Sequence, residues 1–307
     1  MRFTFIRHGE SVANTAGRWQ GQGDSPLSPL GEKQALALGS YLDASAYDRF
    51  VCSDLERAHQ TALAVSREVE PRESWREIDV GSWEGLTHAQ VAEEYPDEIV
   101  ALRSGEPIAV GGGESWRDLA VRIDAALLDL KQTSATDEHV MVTAHGGVIS
   151  ILFAGLLGVR ERHPRPLGWL VNTSISRVRF DAGVTWIEAY NTTPHLLHVE
   201  HRRDAYAPPD ADEFFVQSGD SSATMNLGER IESLRQSGAP IPPVITASAD
   251  QILSYGHQLL SLPGEGQHRL APLAPERGAT FRLSRTKAWL LNWNAPAPGG
   301  PASTKRA

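Results

Sequence analysis

A strand-forming run that ends in a histidine and then a glycine occurs twice in this chain, and few folds make use of such a pair. Met1 to Ile6 is largely apolar and rich in β-formers (Phe3, Thr4, Phe5, Ile6), and Arg7-His8-Gly9-Glu10-Ser11 follows at once. His139 to Ala144 is the second run, closed by the turn His145-Gly146-Gly147. Parallel strands far apart in sequence can lie side by side, and open α/β sheets bind ligands at the carboxyl ends of their strands. Both histidines can therefore face one pocket. Taken singly, Arg7-His8-Gly9 is equally compatible with a capped surface turn.

The segments between and after these runs alternate strand-like and helix-like patterns. That alternation predicts an α/β fold, a three-layer α/β/α sandwich around a mostly parallel sheet. Ser28 with Pro29 opens a helix through about Leu42. Arg49 to Cys52 is a short strand, and a helix follows from about Leu55 to Val69. Thr87 and Gln90 have capping-box spacing, as do Ser115 and Asp118 ahead of an amphipathic helix carrying Leu119, Ile123, Leu127 and Leu130. Val148 to Leu157 reads as a buried helix, and Ser174 to Phe180 and Val184 to Ala189 as late strands. The catalytic unit is expected over 1–204.

Beyond it the composition changes. Residues 205–225, rich in Pro, Asp and Ser, read as a linker, and 226–294 as a small C-terminal extension. The extension holds helices from Leu227 to Gln236 and from about Ala249 to Leu262, then a strand or hairpin over Phe281 to Trp293. Residues 295–307 are expected to be a disordered tail. The extension has too few residues for a robust core of its own. Three readings stay open for it: packing onto the catalytic unit, a partner-binding or homodimer contact through Arg277, Arg282, Arg285 and Lys287, or a basic arm reaching the substrate.

Charge narrows the partners. The net charge is −9, yet His268 to Ala307 holds seven Lys/Arg and one acid, a local +6 that leaves −15 elsewhere. That balance argues against nucleic acid, and an anionic substrate must be held by specific arginines rather than by the global field. No apolar stretch is long enough for a bilayer, no cleavable signal precedes the first strand, and a lone Cys52 allows no internal disulfide. A cytoplasmic protein without membrane contact is expected.

Two further elements complete a reactive constellation. Ser53-Asp54-Leu55-Glu56-Arg57-Ala58 places Arg57 in the first turn of a helix, where a guanidinium fork joins an amide-rich helix N-terminus in holding phosphate. The segment from Arg76 to Gly85 adds the carboxylate Glu77, with Glu84 as a rival. Gly111-Gly112-Gly113 lacks the lysine of a phosphate loop and reads as a flexible lead into the next helix. His59, His88, His163 and His195 read as surface or structural residues. His198-Val199-Glu200-His201 has ligand-like spacing but no third candidate ligand, so no metal or other cofactor is expected.

In this order the motifs resemble the histidine phosphatase superfamily, in its phosphoglycerate mutase-like branch. The resemblance spans roughly Met1 to Leu197. It rests on Arg7-His8-Gly9-Glu10-Ser11 with Asn14, Gln20-Gly21, Asp24 to Ser28, Ser53 to Ala62, the Glu77 segment, Gly112-Gly113-Glu114-Ser115, Ala144 to Gly147 and Asn191 to Leu196. It implies that His8 attacks phosphorus and becomes a phosphohistidine. Arg7, Arg57 and His145 would hold the equatorial oxygens, and Glu77 would act as acid and then base. Asn14, Gln20, Gly21 and the Gly146 amide would complete the cradle for a small phosphomonoester.

Mutases of this kind carry basic residues over the site. Here Leu86 to Val110 holds Glu93, Glu94, Asp97, Glu98 and Glu106 against a single Arg103. A second phosphate or carboxylate would be repelled, which favours hydrolysis over phosphoglycerate mutase-type transfer. A non-catalytic phospho-ligand scaffold is the remaining alternative, and the presence of all five reactive residues speaks against it. Sugar phosphates, glycerate phosphates and a cobalamin-pathway phosphate all remain open as substrates.

Overall fold

The computed structural model describes residues 1–163, 165–196, 199, 212–219, 225–237, 240–262, 268–274, 277–284 and 288–296. In chain order the elements begin with β1 (Arg2–Arg7), α1 (Val12–Thr15), α2 (Pro29–Tyr41), β2 (Arg49–Ser53), α3 (Glu56–Leu63) and β3 (Glu70–Arg72). There follow α4 (His88–Glu94), α5 (Pro96–Ser104), α6 (Trp116–Thr133), β4 (His139–Ala144), α7 (Gly146–Leu156), β5 (Ile175–Asp181) and β6 (Val184–Thr192). The chain ends with β7 (Asp212–Ser218), α8 (Leu227–Ser237), β8 (Val244–Ala247), α9 (Ala249–Leu260), β9 (His268–Leu270), β10 (Arg277–Leu283) and β11 (Ala288–Pro296).

All strands join one sheet in the order β3-β2-β4-β1-β5-β6-β11-β10-β7-β8, with β9 paired to β6. The α/β expectation holds, but the sheet is parallel only from β3 to β1 and at the β7–β8 and β6–β9 pairs. From β1 through β5, β6, β11 and β10 to β7 every pairing is antiparallel. A short connection explains the β5–β6 pair: Asp181 is followed within three residues by Val184, and a tight turn can only return the chain antiparallel.

β1 is buried on both faces, because two helix layers cover it. Phe3 and Phe5 point into a core shared with Leu119, Ile123, Val148 and Phe153 of α6 and α7, while Ile6 meets Leu38 and Leu42 of the α2 side. Caps fix the helix starts as expected: Ser28, Thr87, Ser115 and Ser248 each accept from the backbone N–H three residues on.

Three local expectations need correction. α3 stops at Leu63 rather than near Val69, because the Ser66 hydroxyl and Glu68 form a turn that sends the chain into β3. Gly146 and Gly147 are not a turn before α7 but its first two residues, with His145 at the cap position. The presumed linker contains β7, whose Phe214, Phe215 and Val216 are buried between the pairings to β10 and β8. Flanking Asp and Ser hid that strand, since its stability comes from partners distant in sequence. The 204/205 boundary and residues 297–307 of the expected tail lie outside the described residues, whereas Ala295 and Pro296 belong to β11.

The C-terminal elements pack onto the catalytic unit as a continuation of its sheet and core. Tyr190 of β6 faces Trp293 of β11, and Phe281, Leu290 and Trp293 belong to the same apolar cluster as Phe3 and Phe5. Among the described residues no helix is long and apolar enough to cross a membrane.

Trp293 is wholly buried, touches Gly256 of α9, and donates from its indole N–H to the Ala271 carbonyl at 3.0 Å. Trp293→Ala should cost about 3–5 kcal/mol in urea unfolding. A loss below about 1 kcal/mol would show that the β6–β11 junction is not part of the cooperative core.

Candidate active site

The carboxyl ends of β1, β2 and β4 bring the reactive residues together. β1 and β4 are adjacent and in register, Arg7 opposite Ala144, so the residues that follow them, His8 and His145, emerge side by side. Their ring centroids are 5.1 Å apart, and both side chains are buried. Arg57 enters from the first turn of α3, directly after β2.

The tautomer of His8 is set by its own backbone. Its Nδ1 lies 2.6 Å from the Gly9 carbonyl, which can only accept, so Nδ1 carries the proton and the lone pair of the neutral ring sits on Nε2. Burial, then the Arg57 and Arg7 guanidiniums, hold its pKa well below the ordinary 6.5, against a small opposing effect of the Gly9 bond. His145 is held low in the same way, by burial first and then by Arg57, His8, Arg7 and Arg122. Neither of its ring nitrogens has a hydrogen-bond partner among the described residues.

The arginines are aimed by carbonyls. Arg57 donates to the Gly23 carbonyl at 3.0 Å and to the Gly21 carbonyl at 2.8 Å, leaving Nε without a partner among the described residues. Burial pushes its pKa down to about 10, opposed by Glu77, Glu84 and Asp24, so it stays cationic at neutral pH. Arg7 donates to the Leu170 carbonyl and runs beside Gly146, where an added Cβ would stand 3.3 Å from Arg7 Nε. The unpartnered Arg57 Nε beside an uncharged His pair fits a multiply charged oxyanion.

Glu77 lies against the start of α7. Its Oε2 accepts from Gly147 N–H at 2.9 Å and its Oε1 from Ile78 N–H at 3.0 Å. A Cβ on Gly147 would collide with that carboxylate. The rival Glu84 is used elsewhere: it accepts from Gly21 and Gly23 at 2.9 and 3.0 Å and so shapes the loop whose carbonyls aim Arg57. The N–H of Gly21 is thus engaged by Glu84, and its carbonyl by Arg57. Asn14 and Gln20 flank the nucleophile loop, Asn14 accepting from Ser11 N–H at 3.3 Å and Gln20 from the Ser11 hydroxyl at 2.7 Å. Gly146, at the first position of α7, carries one of the backbone N–H groups that lack an intrahelical acceptor.

Several positioning residues carry no local motif. Arg122 of α6 donates to the carbonyls of Ser74, Arg76 and Glu77 and to the Glu114 carboxylate. Glu114 in turn accepts from Asp79 N–H at 3.0 Å, which accounts for the Gly-Gly-Glu-Ser segment. Asn172 donates to the His8 carbonyl at 3.0 Å. Thr173, at a positive φ of 57°, donates its N–H to the carbonyls of Arg7 and His8, and its hydroxyl meets His195 Nε2 at 2.8 Å. Among the described residues no group of three or more His, Cys, Asp or Glu could hold a metal ion. The His198–His201 stretch, Val199 apart, lies outside them.

The sequence model described as histidine phosphatase superfamily (branch 1) matches residues 3–193. The chain belongs to that superfamily. It is 35% identical over 184 residues to the glucosyl-3-phosphoglycerate phosphatase of Mycobacterium tuberculosis, covering 56% of this chain and 82% of the relative. It is 34% identical over 202 residues to a metal-independent phosphoserine phosphatase of Arabidopsis thaliana, covering 63% of this chain and 82% of the relative. The mycobacterial glucosyl-3-phosphoglycerate phosphatase solved with VO3 superposes with a TM-score of 0.54 at 35% identity, over 58% of this chain and 92% of that one. As a histidine phosphatase, the chain is a phosphoric monoester hydrolase.

Because the folded-state pKa values of His8 and His145 are depressed, both rings stay neutral through pH 6.5, where an unfolded chain begins to take up protons. They contribute stability that is intact above about pH 6.5 and is lost as the pH falls towards their folded values. A histidine NMR titration of phosphate-free protein should find both midpoints below 6.5. A midpoint at or above 6.5 for His8 would contradict the account of a neutral nucleophile.

Proposed function

We propose that this phosphatase hydrolyses small phosphorylated metabolites in two steps through a phosphohistidine on His8. The observation that carries the reading is the His8 Nδ1 to Gly9 carbonyl bond, which leaves the lone pair on Nε2 of a buried ring whose centroid is 5.1 Å from that of His145. In the first step Nε2 forms a bond to phosphorus as the ester P–O bond breaks, and Glu77, in its protonated form, gives its proton to the departing oxygen. In the second step the Glu77 carboxylate takes a proton from water, whose oxygen displaces His8 and releases inorganic phosphate. Arg7, Arg57, His145 and the Gly146 amide of α7 bear on the equatorial oxygens, where negative charge is spread. Asn14, Gln20 and Gly21 support the walls of that cradle.

Hydrolysis is favoured over phosphoryl return by the segment between Glu77 and Glu114. It forms α4 and α5, folded against Trp83 through Tyr95 and against Trp19 through His88. Glu93, Glu94, Asp97 and Glu106 are exposed on it, which disfavours retention of a second anionic group. A cytoplasmic setting belongs to the same proposal and is supported by the single, buried thiol of Cys52.

Phosphate release across a panel of phosphomonoesters tests the proposal. His8→Ala should abolish turnover, and Glu77→Gln should lower kcat by about 10²–10⁴-fold, most steeply for esters with poor leaving groups. Full activity in either variant would remove that residue from its role, and rapid phosphoglycerate interconversion without phosphate release would favour the mutase reading.

A further inference from the structure

The segment 165–174 links the C-terminal sheet to the phosphate clamp. On one side it is bonded to β11: Gly168 N–H donates to the Leu290 carbonyl at 2.8 Å, and Leu290 N–H to the Pro166 carbonyl at 2.9 Å. Tyr190 donates its hydroxyl to the Gly168 carbonyl at 2.9 Å. Asn191 adds a junction, its amide donating to both the Trp169 and Leu291 carbonyls and accepting from Val171 N–H. On the other side Arg7 donates to the Leu170 carbonyl, and Thr173 to the carbonyls of Arg7 and His8.

Between these two sets of bonds stands Trp169. It is 49% exposed, although its neighbours Gly168 and Leu170 are buried, and the Arg7 guanidinium carbon sits 6.0 Å from its ring centroid. A large indole at the rim, one guanidinium away from the phosphoryl position, is placed to meet whatever is attached to the phosphate. Its flat apolar face suits a ring, either the C–H face of a sugar or an aryl group, better than a short charged chain. β11 lies beyond residue 193, where the superfamily match ends, so its hold on this wall belongs to the part of the chain outside that match.

The geometry points to Trp169 as the leaving-group platform of this phosphatase, selecting phosphomonoesters of ring-bearing alcohols, with β11 fixing its position. This rests on the phosphomonoesterase reading above. The C-terminal extension then acts on specificity through β11, between β6 and β10 in the sheet, without supplying a group to the phosphoryl centre itself.

The test compares kcat and KM for ring substrates (p-nitrophenyl phosphate and a hexose phosphate) with those for acyclic ones (glycerol phosphate and phosphoserine). In Trp169→Ala the ring-to-acyclic ratio of kcat/KM should fall about tenfold, carried by KM, and Trp169→Phe should restore most of it. Gly168→Ala, whose Cβ would stand 3.0 Å from Leu291 Cα, should lower the same ratio by displacing the segment from β11. Trp169→Leu, bulky but ringless, serves in place of the alanine variant should that one lose its native circular dichroism. Equal losses for ring and acyclic substrates, or an unchanged ratio, would overturn the platform. A ratio altered by the Trp169 variants but not by Gly168→Ala would overturn the role of β11. Failure of the wild-type protein to turn over any monoester would overturn the functional reading and this inference together.

Discussion

The bond from His8 Nδ1 to the Gly9 carbonyl is short in sequence and wide in consequence. It fixes a tautomer, and with it the ring nitrogen that can attack. Burial first, and then the two guanidiniums, keep this histidine neutral. In the proposed mechanism His8 is therefore activated by exclusion of a proton rather than by a dedicated base. What the fold must provide is a buried place where such an arrangement is tolerated.

Burying two arginines around an uncharged pair is costly unless their N–H groups are met. Three carbonyls meet part of that demand, those of Gly21, Gly23 and Leu170, and each comes from a loop rather than a regular element. Loops alone are poor supports, so each is braced. Glu84 holds the 21–23 loop through two N–H groups, and Asn191 and Leu290 hold the segment around Leu170. Among the described residues Arg57 Nε is left without a partner, and in the proposed reaction a substrate phosphate would meet it, in the way preorganised sites stabilise a transition state.

What could be read in the sequence was local. The strands before His8 and His145, the capped helices and the helix-borne Arg57 each announce themselves within a few residues, because strand length and cap chemistry are short-range. Glu77 was separable from Glu84 only through resemblance. In the structure Glu84 accepts from Gly21 and Gly23 in the loop that aims Arg57, and Glu77 from Ile78 and from Gly147 at the start of α7. Arg122, Asn172 and Thr173 were invisible, because the backbone carbonyls they hold at residues 74–77 and at Arg7 and His8 lie far away along the chain. β7 was missed for a related reason: seven residues set among Asp and Ser become a strand only when β8 and β10 pair with them.

Trapping the covalent intermediate tests the central claim most directly. Protein mixed briefly with a ³²P-labelled phosphomonoester and quenched into alkaline detergent should retain label that survives base, is lost in mild acid and maps to His8. Glu77→Gln should prolong its lifetime. Turnover without label on His8, or label retained in His8→Ala, would contradict a phosphohistidine mechanism in this site.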